Sequence, residues 1–101
     1  MLKKIKKYGA QWCGPCHTFE KTLERVGNMD EFKDIVFESA DIDDEENDDV
    51  EKYGIRSIPT TILFDENDEV IYKLTGNIPF DGLVNILREY VNNTEDGLEE
   101  V

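Results

Sequence analysis

The sequence predicts an α/β fold with a single domain, in which helices cover both faces of a four-stranded mixed sheet. The chain has 101 residues, of which 39% are hydrophobic, and this is enough for one core. Strand and helix patterns follow in the order β-α-β-α-β-β-α, so the first strands pair in parallel through crossovers and a hairpin closes the second half. We therefore expect a three-layer sandwich at residues 1–92 and an acidic, flexible tail at residues 93–101.

The first half of the chain contains a predicted strand at Lys3–Tyr8, which is rich in lysine, followed by a helix. Pro15 suits the first turn of this helix, where its missing N–H costs nothing. Apolar residues at helical spacing predict one buried face, formed by Cys16, Phe19, Leu23 and Val26. Gly27 and Asn28, which both tolerate left-handed backbone, are expected to end the helix.

The rest of the chain predicts shorter strands and two further helices. The apolar run Ile35–Phe37 is typical of a strand buried on both faces. A short helix is expected to be capped by Asp48 or Asp49 and to stop at Gly54. A hairpin is expected next, with strands at Thr60–Phe64 and Glu69–Leu74 and a turn at Asp65–Asp68. A last helix at Pro79–Asn92 completes the fold, and its apolar side carries Phe80, Leu83, Leu87, Tyr90 and Val91.

The charge of the chain narrows the classes of function. The formal net charge of −13 disfavours binding to nucleic-acid phosphates and argues against tight self-association, so we expect a monomer. No apolar run approaches the roughly 20 residues that span a bilayer, and the basic start has no apolar stretch behind it that would make a secretory signal. The expected location is the cytoplasm, without a membrane partner.

The segment Asp41–Glu51, DIDDEENDDVE, is acidic at eight of its eleven positions. Carboxylates are hard oxygen ligands, so a calcium site is one interpretation of this segment. A solvated, self-repelling loop is the other, and we prefer it because the glycine at the sixth position of an EF-hand loop is absent. We predict no metal.

The two cysteines, Cys13 and Cys16, lie in the segment WCGPC at residues 12–16. A purely structural disulfide that closes four residues would add only about 2 kcal/mol to the free energy of unfolding, in a segment that Pro15 already restrains. A closed zinc site needs four ligands, and the chain offers one histidine, His17, besides the cysteines. A redox-active pair explains more of the pattern.

The redox interpretation depends on the helix that follows the cysteines. If Cys13 lies at the helix start, unpaired backbone N–H groups and the helix dipole favour its thiolate, which is the species that attacks disulfides. Cys16, one turn along, is within reach of the resulting mixed disulfide. Gly14 lets a partner chain approach closely, and Pro15 restrains the turn. The segment therefore predicts a thiol–disulfide oxidoreductase.

WCGPC followed by a helix, YGIRSIPT at residues 53–60, and a lone glycine after the hairpin, Gly76, together resemble a thioredoxin over residues 3–91. The resemblance implies that Cys13 is the nucleophile, that Cys16 is the resolving thiol, and that Pro59 is a cis proline facing their redox-active disulfide. It implies no cofactor. It also implies a groove that binds an extended substrate by strand addition, formed by Trp12, Gly14, Pro15, Ser57, Ile58, Pro59, Thr75, Gly76 and Asn77. Trp12 is either a lid on this site or partial core, and the resemblance favours the lid.

The sequence departs from the family in three places. With eleven residues before Trp12, it is expected to lack the family's extra first strand and helix, like glutaredoxins and the short thioredoxin-like proteins of phages and archaea. Lys7 stands where the family has a buried acid, and the lysine often found near that acid is replaced around Ser39. His17 stands where the family usually has lysine.

Two of these residues, Lys7 and His17, are candidate modulators of the thiol pKa. We prefer the interpretation in which Lys7 points under the active site and stabilises the thiolates, over one in which strand alternation turns it toward solvent. His17 either supports a thiolate when charged or points at solvent, and the sequence does not favour one of these.

Two other functions stay open. A glutaredoxin would bind glutathione through an acidic pair that follows a double glycine, whereas this chain has GNIP at residues 76–79. A thioredoxin-like binding subunit with incidental thiols would leave the WCGPC context unexplained. We therefore predict a dithiol reductant of disulfide-containing proteins, with an NADPH-dependent thioredoxin reductase as its electron donor.

Overall fold

The computed structural model of the chain describes residues 1–44 and 48–99, with side chains described to residue 91. The strands are β1 (Leu2–Gly9), β2 (Val36–Asp41), β3 (Thr60–Asp65) and β4 (Val70–Thr75). The helices are α1 (Gly14–Gly27), α2 (Asp49–Lys52) and α3 (Phe80–Glu99), and a 3₁₀ turn at Asp30–Phe32 follows α1. The predicted order of elements is confirmed, apart from the additional 3₁₀ turn.

The strands form one mixed sheet in the order β2-β1-β3-β4. β1 pairs in parallel with β2 and antiparallel with β3, and β3 and β4 form the predicted hairpin. Because β1 is a central strand, its carboxyl end at Gly9 leads from the middle of the sheet directly into the segment that carries the cysteines.

Helices cover both faces of this sheet. On one face, α1 and α3 pack around the main core, which contains Leu2, Ile5, Phe19, Leu23, Val26, Phe32, Leu63, Leu74, Leu83, Val84 and Leu87. On the opposite face, Val50 of α2 and the adjoining Tyr53 pack against a smaller core of Tyr8, Ile55, Ile62 and Phe64. Successive residues of β3 point to opposite faces, so Leu63 lies in the main core and its neighbours Ile62 and Phe64 lie in the smaller one. The predicted three layers and the predicted apolar face of α1 are confirmed.

The lysines of β1 are also divided between the two faces. Lys7 lies on the α1 side and is only 8% exposed. On the other side, Lys6 pairs with Asp49, and the ammonium of Lys4 lies 4.7 Å from the centre of the Phe64 ring. The strand tolerates so many lysines because their alkyl stems cover apolar surface while each of these three ammonium groups finds a partner.

β2 is the edge strand of the sheet. The prediction of a strand at Ile35–Phe37 buried on both faces is wrong, because β2 begins at Val36 and none of its six residues is buried. Val36 itself is 46% exposed. Pairing with residues Lys4–Gly9 of β1 carries the strand through polar residues to Asp41, whereas Ile35 lies outside the strand and packs against the main core.

The backbone conformation after α1 and the length of α3 also differ from the prediction. α1 ends at Gly27 as expected, but Asn28 has a right-handed backbone (φ −84°), since its N–H continues the helical pattern by bonding to the carbonyl of Glu24. α3 continues beyond Asn92 to Glu99, because residues 93–99 contain no proline and a single glycine costs only about 1 kcal/mol in a helix. The flexibility of the acidic tail stays a prediction, and residues 100–101 lie outside the described residues.

The acidic segment at residues 41–51 is described except for residues 45–47, and part of it anchors α2 to β1. The hydroxyl of Tyr8 donates to Oδ2 of Asp49 at 2.6 Å, and Nζ of Lys6 lies 3.4 Å from the same oxygen. The hydrogen bond from Tyr8 lowers the pKa of Asp49, burial opposes it, and Lys6 lowers it further. Burial and the nearby carboxylate raise the pKa of Tyr8. At least this part of the segment is therefore more than a solvated loop.

We expect Tyr8→Phe to lower the free energy of unfolding at neutral pH by about 1–3 kcal/mol, because a hydrogen bond to a charged group is lost. A carboxyl group whose pKa falls on folding stabilises the native state above its ordinary pKa, and this contribution is lost as pH falls through the folded value. The deficit of the variant should therefore shrink below about pH 4. Urea unfolding across this pH range measures it.

Tyr53→Phe is the control for this prediction, because it removes a hydroxyl from the same core but not the one bonded to Asp49. A Tyr8→Phe deficit that keeps the same size at acidic pH would contradict the role assigned to the carboxylate.

Candidate active site

Cys13 lies at the amino end of α1. Its backbone is extended (φ −96°, ψ 106°), it forms the N-cap of the helix, and Gly14 and Pro15 follow in the first turn. The N–H of Cys13 donates to the carbonyl of Ala10 at 3.1 Å, which closes the turn between β1 and the helix. The sulfur therefore lies where the first backbone N–H groups of a helix point.

Cys13 and Cys16 form a disulfide, with their Cα atoms 5.3 Å apart. The N–H of Cys16 donates to Sγ of Cys13 at 3.2 Å. Cys13 is 6% exposed and Cys16 is 1% exposed, so an incoming sulfur has better access to Cys13. In the reduced protein, the same N–H group and the helix dipole favour a thiolate at Cys13.

The segment that contains a cis proline lies next to the disulfide. The Ile58–Pro59 peptide bond is cis, Ile58 packs against the cysteine pair, and Pro59 is fully buried. The N–H of Gly76 donates to the carbonyl of Pro59 at 2.8 Å, and Gly76 has a φ of +90°, which favours glycine. This bond brings the end of β4, with the exposed Thr75, next to the proline. The residues expected to face the cysteines are thus brought together at one end of the sheet.

Trp12 is a surface residue and not part of the core, since its side chain is 69% exposed. Its Nε1 donates to Oδ2 of Asp43 at 2.8 Å, which holds the indole against the segment after β2. Next to it lies a mostly apolar cavity of about 320 Å³, lined by Trp12, Ile42, Val50, Ile55, Arg56, Ser57 and Ile58. Gly14 and Pro15 are exposed as well. This apolar cavity has the size and character to bind a side chain of a peptide substrate.

Lys7 lies beneath the active site, and its Nζ forms an ion pair with Oε1 of Glu20 on α1. The hydroxyl of Ser39 donates to both carboxylate oxygens of Glu20, at 2.9 and 3.2 Å. Glu20 was not among the residues predicted for the site. Its position four residues after Cys16 was the available signal, because residues four apart lie on the same helix face. The effect of Lys7 on the cysteines stays a prediction.

His17 is exposed, but its ring is held by the loop that precedes the cysteines. Nε2 of His17 donates to the carbonyl of Gln11 at 2.7 Å. The positive charge of His17 contributes to lowering the pKa of Glu20, so His17 acts on the group that pairs with Lys7. Its influence on a thiolate stays a prediction.

The family model for thioredoxin matches residues 3–89. The chain belongs to the thioredoxin family. The thioredoxin of Mycoplasmoides gallisepticum is 35% identical over 86 residues, which cover 85% of this chain and 82% of that protein. A thioredoxin of Staphylococcus epidermidis is 34% identical over 89 residues, which cover 87% of this chain and 82% of that protein.

Solved thioredoxin structures have the same architecture. The germline-specific thioredoxin Deadhead of Drosophila melanogaster superposes with a TM-score of 0.72 at 26% identity, over 85% of this chain and 78% of that one. The oxidised thioredoxin of Plasmodium falciparum gives a TM-score of 0.72 at 26% identity, over 86% of this chain and 79% of that one.

Thioredoxins are protein-disulfide oxidoreductases, and this chain contains the cysteine pair on which that chemistry depends. The predicted activity of a thioredoxin-type disulfide reductant is therefore confirmed. Among the described residues, no group of three or more His, Cys, Asp or Glu side chains is placed to hold a metal ion. Within the same residues, no helix combines the length and the apolar character that crossing a bilayer requires.

Proposed function

We propose that this thioredoxin uses Cys13 as the nucleophile and Cys16 as the resolving thiol, and that an NADPH-dependent thioredoxin reductase returns it to the dithiol form. One observation carries the assignment of the two cysteines. Sγ of Cys13 accepts the N–H of Cys16 at the amino end of α1, whereas Cys16 is almost completely buried. A sulfur at a helix start with a nearby donor is the better thiolate.

The proposed reaction has two exchange steps. The thiolate of Cys13 attacks one sulfur of the substrate disulfide, so a Cys13–substrate disulfide forms and the other substrate sulfur leaves as a thiolate, which takes a proton from water. Cys16 then gives its proton to water, and the resulting thiolate attacks Sγ of Cys13. The Cys13–Cys16 disulfide forms, the mixed disulfide breaks, and the second substrate sulfur leaves with the electron pair. The substrate gains two electrons, and the cysteine pair of the protein loses them.

The walls of the site support an extended peptide as the substrate. Ile58 packs against the cysteine pair, and the N–H of Gly76 bonds to the carbonyl of Pro59, which joins the end of β4 to this segment. On this basis we propose that backbone at Ile58 and Thr75 pairs with a strand of the partner. The apolar cavity next to Trp12 can bind one substrate side chain. We infer that the sequence around the substrate cysteine is recognised mainly through its backbone.

We expect the protein to consume NADPH faster with a flavoprotein thioredoxin reductase than with glutathione and glutathione reductase, when insulin is the disulfide substrate. The expected difference is about tenfold or more, which corresponds to about 1.4 kcal/mol in transition-state stabilisation. The reason is that Asn77 and Ile78 follow Gly76, where glutathione binding would need an acidic pair. A coupled assay at 340 nm, the ordinary NADPH absorbance, measures both rates.

Reactions without the protein, and with a Cys13→Ser variant, provide the background rate for each donor. Faster turnover with glutathione would assign the protein to the glutaredoxin class of electron donor. No turnover with either donor, in a folded protein, would favour a binding subunit with incidental thiols.

Two further expectations complete the proposal. The net charge of −13 supports a monomer, because two such chains repel each other. A dithiol reductant fits a reducing compartment such as the cytoplasm, where thiols are kept reduced. Both expectations stay predictions.

A further inference from the structure

An ion pair between a buried lysine and a partly exposed carboxylate lies beneath the disulfide, and its negative member was not expected from the sequence. Lys7 on β1 is 8% exposed, and a buried ammonium is costly unless a partner neutralises it. Glu20 on α1 is that partner. The hydroxyl of Ser39 on β2 holds both oxygens of the same carboxylate, so three elements of the fold determine where the pair lies.

Gly9 shows how close this pair is to the resolving cysteine. A Cβ atom added to Gly9 would lie 3.0 Å from Sγ of Cys16 and 3.6 Å from Nζ of Lys7. The ammonium and the sulfur are therefore separated by less than the sum of these two distances, and the missing side chain of Gly9 leaves that space open. At such a separation, in a partly buried place, one charge changes the stability of another appreciably.

The two members of the pair act on a thiolate in opposite directions. The ammonium of Lys7 stabilises a negative sulfur, and the carboxylate of Glu20 destabilises it. Two other charged or titratable groups face the same region. His17 on α1 and Asp41 on β2 line a cavity of about 290 Å³ together with Lys7 and Glu20. The net effect on the cysteines depends on the balance of these charges.

We propose that Glu20 is a positioning residue that sets the redox equilibrium of the Cys13–Cys16 pair, by holding Lys7 under Cys16 and offsetting its charge. This inference rests on the proposed function, since it assigns a role in the same two-cysteine chemistry. The carboxylate keeps the dithiol form from becoming too stable, so the protein stays a reductant although a lysine lies under its active site.

The state of Glu20 at neutral pH supports this role. Burial raises the pKa of Glu20, but hydrogen bonds from Lys7 and Ser39 and the charges of Lys7 and His17 outweigh burial and lower the pKa below its usual value. Glu20 is thus negatively charged at neutral pH and offsets the charge of Lys7 whenever the cysteines react.

The experiment equilibrates the full-length protein with reduced and oxidised dithiothreitol near neutral pH and compares four proteins. Glu20→Gln removes the negative charge but keeps an amide oxygen that accepts hydrogen bonds. Glu24→Gln is the matched control, since it removes the same charge from an exposed position one helical turn further along α1. Lys7→Met removes the positive charge, and the wild-type protein is the reference. Rates of thiol alkylation against pH give the thiol pKa values of each reduced protein.

We expect Glu20→Gln to shift the equilibrium toward the dithiol by about tenfold, which is about 30 mV for a two-electron couple. Its thiol pKa values should fall, because Lys7 then acts without a counter-charge. Lys7→Met should shift both quantities in the opposite direction, and Glu24→Gln should differ from wild type by less than about twofold.

An equilibrium constant for Glu20→Gln equal to that of Glu24→Gln would overturn the proposal. So would shifts of Glu20→Gln and Lys7→Met in the same direction, because that pattern indicates a merely structural role. If Lys7→Met does not fold, the comparison of the two Gln variants decides alone. Insulin reduction by the wild-type protein is measured separately, so a failure of the proposed function would be seen as such, and the equilibrium constants would still be obtained.

Discussion

Replacement of Cys13 by serine is expected to abolish the reduction of insulin disulfides. A serine hydroxyl does not form an anion at neutral pH, and the second thiol of the pair, Cys16, is only 1% exposed and therefore poorly placed to attack the substrate. The rate should fall by about a thousandfold or more, which corresponds to about 4 kcal/mol of lost transition-state stabilisation. Insulin turbidity and the coupled NADPH assay both measure this loss.

Cys16→Ser is the informative companion of this variant. It keeps the attacking sulfur at the helix start but removes the group that resolves the mixed disulfide, so covalent complexes with substrate should accumulate. Mass spectrometry detects them. The pKa of the Cys13 thiol should lie below the free-cysteine value of about 8.5. Equal alkylation rates for the two cysteines of the wild-type protein would contradict the assignment of unequal roles.

The second large effect concerns stability. We expect Phe19→Ala to lower the free energy of unfolding by about 3–5 kcal/mol, because Phe19 is fully buried and the substitution leaves a cavity between α1 and the sheet. Domains of this size are stable by about 5–15 kcal/mol, so the variant should be marginal. Urea unfolding followed by circular dichroism measures the change.

Tyr72→Ala is the control for this substitution. Tyr72 is also a large aromatic residue but is 46% exposed, and its ring stacks on Tyr90 at a centroid distance of 5.4 Å. Losing this contact should cost about 1 kcal/mol. If both variants lost the same free energy, the assignment of Phe19 to the main core would be wrong.

Elements with a local signal could be predicted from the sequence. The face of α1 follows from the spacing of four apolar residues, and its start follows from Pro15, so both the helix and the position of Cys13 at its amino end were predictable. The hairpin between β3 and β4 follows from a polar turn, in which Asp68 has the positive φ that turns favour.

Features that depend on distant contacts could not be predicted in this way. The run Ile35–Phe37 looks like a buried strand, but only the strand order shows that β2 lies at the edge. Asp43 appears as one carboxylate among many, and its bond to Trp12 joins residues that are far apart in the sequence. Glu20 becomes relevant only once β1 places a lysine opposite it. In each case, the partner and not the residue type decides the role.

The position of Cys13 as the N-cap of α1 connects the chemistry of the protein to its folding. Folding and reduction form a thermodynamic cycle, in which the difference in unfolding free energy between the reduced and disulfide forms equals the difference in reduction free energy between the folded and unfolded chains. Whatever strengthens the bond between the helix start and the Cys13 thiolate therefore stabilises the reduced fold relative to the oxidised one. The gap in unfolding free energy between the two redox forms is, in this sense, a measure of how readily the folded protein gives up its electrons.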